Sequence, residues 1–172
     1  MASIFRRYKS EIHGNYRAAY LKYGVLTGLA MGLYLFVRHW VGYPSSTPSD
    51  LGKDVLMIAA IILFTYLYRR GLADGRVTFK ELVLLGLGTG VTAAVVYGLA
   101  VWLYCGVAYP EMTTVYADRF RTDETTTEAY VSALNPVPWA LFYGFVHTAV
   151  TSIIVAFFAA LIFKTEKGER AN

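Results

Sequence analysis

Residues 82–109 read LVLLGLGTGVTAAVVYGLAVWLYCGVAY, 28 positions from Leu82 to Tyr109 without a charged side chain. A helix needs about 20 apolar residues to cross a bilayer core, so this run predicts a membrane-spanning helix with length to spare. It carries small residues four apart: Gly86, Gly90, Ala94 and Gly98. That spacing follows one helix face and lets a second backbone approach closely in lipid. Thr78 followed three residues later by Glu81 predicts a capping box at its start, and Pro110 closes it.

Three further apolar runs flank this one. The first span is expected over about 23–41 and contains Gly24, Gly28 and Gly32. Arg38 and His39 near its end are placed to snorkel to headgroups, and Trp40 and Tyr43 suit an aromatic belt. A cleaved signal peptide would show small residues before a cut site; Arg38, His39 and Trp40 argue for a retained helix. After the turn YPSSTPSD at 43–50, a second span is expected over about 51–68. Its charge-free core from Val55 to Tyr68 covers only about 21 Å at the helical rise. Lys53 and Arg69 are expected to extend it by snorkelling outward. The fourth span, about 136–163, opens at Asn135-Pro136 and repeats small residues at Gly144, Thr148, Ser152, Ala156 and Ala160.

The remaining segments are polar. Residues 1–22 hold Arg6, Arg7, Lys9, Arg17 and Lys22 against Glu11, and their apolar stripe predicts an interfacial helix broken near Gly14-Asn15. A tail whose charges only set orientation is the competing reading. Asp74-Gly75 reads as a turn. The extracytoplasmic loop 110–135 offers one short amphipathic helix through Met112, Val115, Tyr116 and Phe120, and a second over Ala129 to Leu134. The domain plan is therefore a basic segment, 1–22, and a transmembrane domain, 23–172. The fold class is an all-α membrane protein, four helices in a small bundle.

Composition agrees. Charged residues make up 16% of the 172 positions, against about 25% in soluble domains, and the apolar 56% is gathered into runs. Cys105 is a single thiol, with no disulfide partner or multi-cysteine metal site. The N-terminal, middle and C-terminal segments hold 12 of the 16 Lys and Arg residues; Arg38, Lys53, Arg119 and Arg121 are the others. The positive-inside rule therefore places both termini in the cytoplasm, which an even number of spans allows.

The small-residue faces predict close contacts among spans one, three and four. A faint parallel repeat adds to this: setting Gly24 on Gly86 also matches Thr27 with Thr89, Gly28 with Gly90 and Trp40 with Trp102.

For chemistry, the spans contain no Asp or Glu beyond their ends, and His147 is the ionisable residue set within one. Tyr143, Thr148 and Thr151 lie near it at helical spacing. Two readings stand: a proton relay or ligand contact, or a neutral imidazole hydrogen-bonded to another helix, with no carboxylate in sight. His13 and His39 read as surface residues near the interfaces. Gly86, Gly88 and Gly90 lack the preceding strand and third-glycine spacing of a dinucleotide loop. No catalytic residue, metal ligand or cofactor is expected, and nucleic acid is an improbable partner for a basic loop that orientation already explains.

Several of these residues resemble a known family. Lys22-Tyr23-Gly24 opens the first span, Tyr68-Arg69-Arg70 ends the second, and Gly75 to Glu81 (GRVTFKE) feeds a glycine-rich third. This is similar to bacterial domain-of-unknown-function family 4199, small four-helix membrane proteins. The resemblance implies that topology and a bacterial inner membrane; the family has no assigned activity and lends no site residue. The expected role is a non-enzymatic structural or accessory membrane subunit, with lipids, a second copy or other membrane subunits as partners. The alternative is a small transporter or channel using the fourth span and His147.

Overall fold

The computed structural model describes residues 16–44, 50–71, 77–119 and 136–164. The surface helix expected before Tyr16, the Asp74-Gly75 turn, the second loop helix at Ala129 to Leu134, Arg121 and the C-terminal basic residues Lys167 and Arg170 lie outside these. The described residues form α1 (Tyr16–Trp40), α2 (Leu51–Gly71), α3 (Phe79–Leu103), a π-helical turn (Tyr104–Ala108), α4 (Met112–Arg119) and α5 (Pro136–Phe163). They include no strand. Four helices are long and apolar enough to cross a membrane: α1, α2, α3 with its π turn, and α5.

Two helices start earlier than their apolar runs. In α1, nothing between Tyr16 and Tyr23 breaks the helix, and Ala19 and Tyr23 are both buried. Residues 16–22 thus continue into the span instead of forming a separate surface segment. In α2, 21 residues give a length of about 31 Å, enough for a hydrocarbon core. The shortfall expected from Val55 to Tyr68 disappears because Lys53 and Asp54 lie inside the helix. Lys53 does not snorkel outward; it is fully buried.

Both ends of α3 are built by side chains. At the start, the Thr78 amide donates to Glu81 Oε2 at 2.8 Å and the Glu81 amide donates to Thr78 Oγ1 at 3.3 Å. That reciprocal pair satisfies two of the donors a helix start leaves open. At the other end the helix widens into the π turn, where the Tyr109 amide donates to the Tyr104 carbonyl at 2.8 Å. The Cys105 carbonyl accepts from Thr113 Oγ1 at 3.2 Å, so α4 closes the irregular end. α4 covers part of the loop helix expected from Met112, and Met112 is buried.

α3 is the central helix, packing most heavily on α5 and α1, while α2 leans on α5 and α1. A Cβ added to Gly28 would lie 2.6 Å from Val96 Cβ and 2.9 Å from the Ala93 carbonyl oxygen. One added to Gly32 would lie 2.7 Å from Ala100 Cβ, and Gly24 faces Thr92 in the same way. Four residues along α1 match four along α3 in the same direction, so these helices run parallel. On its other side Gly86 faces Ala156, whose Cβ would be 2.5 Å from an added Cβ, and Gly90 faces Ser152. Here the numbers run in opposite directions, so α3 and α5 are antiparallel. Further along the same two helices Ala94, Gly98, Gly144 and Thr148 are all buried. The small faces therefore close the bundle within one chain.

Large aliphatic side chains cover the outside, among them Leu29, Leu33, Ile62, Leu99, Ile153 and Ile162. Small and polar residues fill the inside, including Thr27, Thr65, Thr89, Thr148 and Ser152. Lipid rewards this arrangement, because it solvates aliphatic surface while leaving polar groups to find partners between helices.

Candidate functional site

The buried face of α2 steps through Lys53, Met57, Ile61, Thr65 and Tyr68. This is a helical stripe, and it carries the Lys53 side chain into the bundle. Its side chain is only 1% exposed, and an ammonium in such a place must find counter-charge and acceptors. Asp54 Oδ1 lies 2.9 Å from Lys53 Nζ. From α5, His147 Nδ1 stands at 3.1 Å and Thr148 Oγ1 at 3.3 Å. From α3, the Tyr97 ring faces the ammonium with its centroid 5.5 Å away, a cation–π distance. Three helices thus converge on one nitrogen.

A lysine ammonium has donors and no acceptor, so toward it His147 Nδ1 acts as acceptor. The imidazole is then neutral and carries its proton on Nε2. His147 Nδ1 is also 3.7 Å from Asp54 Oδ1, close enough to exchange partners with small side-chain movements. Asp54 Oδ1 is buried and, despite the nearby ammonium, accepts no well-directed hydrogen bond from any described residue. Charge alone holds it. Asp54 and His147 retain 20% and 32% of their side-chain exposure, so the centre opens on their side and is closed at Lys53.

Of the residues singled out in the sequence, His147 and Thr148 enter this centre together. Thr151 Oγ1 donates back to the His147 carbonyl at 2.9 Å, and Ser152 Oγ donates to the Ala149 carbonyl at 2.7 Å. Both hydroxyls are used within α5. The Tyr143 side chain lies outside the described ones. The sequence reading missed Lys53, Asp54 and Tyr97. The expectation of a His147 with no carboxylate in sight is corrected by Asp54, which sits on a helix distant in sequence, 3.7 Å from His147 Nδ1.

A second polar cluster lies one turn further out. Asp50 caps α2 by accepting the Gly52 amide at 2.8 Å, and it forms an ion pair with Arg38 of α1. Tyr34 OH donates to Asp50 Oδ1 at 3.4 Å, and Arg38 Nε donates to the Tyr43 carbonyl at 2.9 Å. His39 shares a 2.7 Å hydrogen bond with Tyr104 OH and stacks on Tyr109 at 3.5 Å between centroids. Arg38 and His39 are thus held by protein groups where headgroup contacts were expected. Among the described residues no His, Cys, Asp or Glu cluster has the makings of a metal site.

Fold and site together define a class: a protein whose described residues are helical, with four membrane-capable helices, apolar outside, around a buried lysine joined by a half-buried aspartate and histidine. The chain belongs to the family described as "Protein of unknown function (DUF4199)", whose sequence model matches residues 22–165. No curated protein and no solved structure matches the chain.

Proposed function

We propose that this chain is a non-enzymatic, multi-pass bacterial inner-membrane transporter, proton-linked through the Lys53–Asp54–His147 centre. The observation that carries the reading is a fully buried lysine next to a carboxylate and an imidazole. Intramembrane ionisable groups are expensive and mark ion or proton pathways by default. The small residues Gly24, Gly28, Gly32, Gly86 and Gly90 face other helices of the same chain. The distribution of Lys and Arg supports cytoplasmic termini, which would put the centre in the outer half of the bilayer. Topology reporters fused at Met1 and Asn172 are expected to report the same, cytoplasmic side; opposite sides would overturn the scheme.

Transport itself is tested with purified protein in vesicles containing a pH-sensitive dye. With a mixed solute and salt gradient imposed, proton uptake is expected to exceed that of protein-free vesicles. His147→Ala is expected to bring it down to that background. Uptake no different from empty vesicles, or unchanged by His147→Ala, would remove the role given to this centre.

A further inference from the structure

We infer that the centre carries a small monovalent anion together with a proton, the anion on the Lys53 ammonium and the proton on the Asp54 carboxylate. This inference rests on the transport reading above. The reason is charge balance. A buried centre tolerates a neutral ion pair far better than one uncompensated charge. With both ionised, Lys53 and Asp54 cancel at 2.9 Å. A proton on Asp54 removes the negative charge and strands the ammonium among Tyr97, His147 and Thr148. Neutrality then returns by loss of a lysine proton or by arrival of an anion. The Tyr97 ring face favours the cationic ammonium, which opposes the first course.

The donors favour the second. Protonated Asp54 no longer attracts the ammonium, which is then left short of one counter-charge. One ammonium balances one negative charge. Lys53, Thr148 and Tyr97 are packed with at most 1% exposure, which restricts the ligand to a few atoms. Access comes from the side of Asp54 and His147, the two members with exposed surface.

The surrounding charges leave this balance intact. On α2 the neighbours of Asp54 are Lys53 and Asp50; Asp50 is already paired with Arg38 and contacted by Tyr34 from α1. α3 contributes the Tyr97 ring, and α5 contributes His147, neutral as the acceptor of a Lys53 proton. The carried unit is one proton and one anion, so each cycle moves no net charge.

The full chain in dye-loaded vesicles tests this with chloride and nitrate as probes, gluconate and sulfate as controls, and the membrane potential clamped by potassium and valinomycin. Inward chloride or nitrate gradients are expected to acidify the lumen under the clamp, and gluconate or sulfate gradients are not. Lys53→Met and Asp54→Asn, each checked for a monodisperse gel-filtration peak, are expected to fall to the level of protein-free vesicles. The wild-type salt dependence decides the matter even if a variant fails to fold. Proton uptake that is equal in all four salts overturns the anion and leaves proton transport standing. Anion uptake without acidification overturns the coupling. No proton movement in any salt overturns both readings.

Discussion

Gly90→Leu is expected to lower the stability of the bundle by about 3 kcal/mol or more, about 10 °C in Tm, without changing oligomer size. Replacing glycine by leucine inside a helix should by itself help by about 1 kcal/mol through propensity. The loss therefore has to come from packing. An added Cβ at Gly90 meets the Ser152 Cβ and Oγ, and α5 backbone at Ser152 Cα lies only 3.5 Å away. Ser152 Cβ and Cα are fixed by the α5 backbone, so α3 and α5 must separate along the face that also holds Gly86 against Ala156. Gly28→Leu is expected to act in the same direction through the Ala93 carbonyl, 2.9 Å from its added Cβ. Val91→Leu is the control: Val91 is 46% exposed on the outer surface and should change stability by less than about 0.5 kcal/mol. Thermal unfolding in mild detergent, read by intrinsic fluorescence with gel filtration alongside, checks all three. A wild-type Tm in Gly90→Leu would refute the contact, and a change of oligomer size would move it from within the chain to between chains.

The sequence makes four membrane-capable helices visible because apolar runs long enough for lipid are a one-dimensional signal. It makes the small faces visible because a period of four needs only one helix to be read. What it hides is how each helix is rotated and which helix lies opposite. Lys53 looks like a flanking charge because it precedes a short apolar core, and only its place on the stripe with Met57, Ile61 and Thr65 hints that it turns inward. His147 lies far from Asp54 in sequence, so their 3.7 Å separation depends on α2 and α5 being neighbours. The α3 face that receives α1, with Thr92, Val96 and Ala100, escapes notice because Val96 is not small. It accommodates α1 because glycine stands opposite at each step. The matched pair Thr27 and Thr89 differs too: Thr27 Oγ1 donates to the Tyr23 carbonyl at 2.8 Å, whereas Thr89 Oγ1 is buried without a hydrogen-bond partner among the described residues.

Asp54→Ala is expected to cost about 3 to 5 kcal/mol, the penalty for leaving a buried charge without its partner. The Lys53 side chain is 1% exposed and cannot reach water to recover that loss. Lys53→Met is expected to cost less, because the orphaned carboxylate keeps 20% of its side-chain exposure. The double variant Lys53→Met/Asp54→Leu removes both charges and replaces them with apolar side chains. It is expected to return to within about 1 kcal/mol of the parent, since apolar replacement of a whole buried pair is often neutral or better. The cycle then yields a coupling energy of at least about 2 kcal/mol between adjacent residues. Proton uptake in vesicles separates structure from function, because the double variant keeps the fold and lacks the groups that bind the proton. Stability restored with uptake lost is the signature of a working centre. Stability restored with uptake intact would make the pair a dispensable packing device. Additive losses in the double variant would show that Lys53 and Asp54 do not compensate each other at all, and the charge balance on which coupled transport depends would go with them.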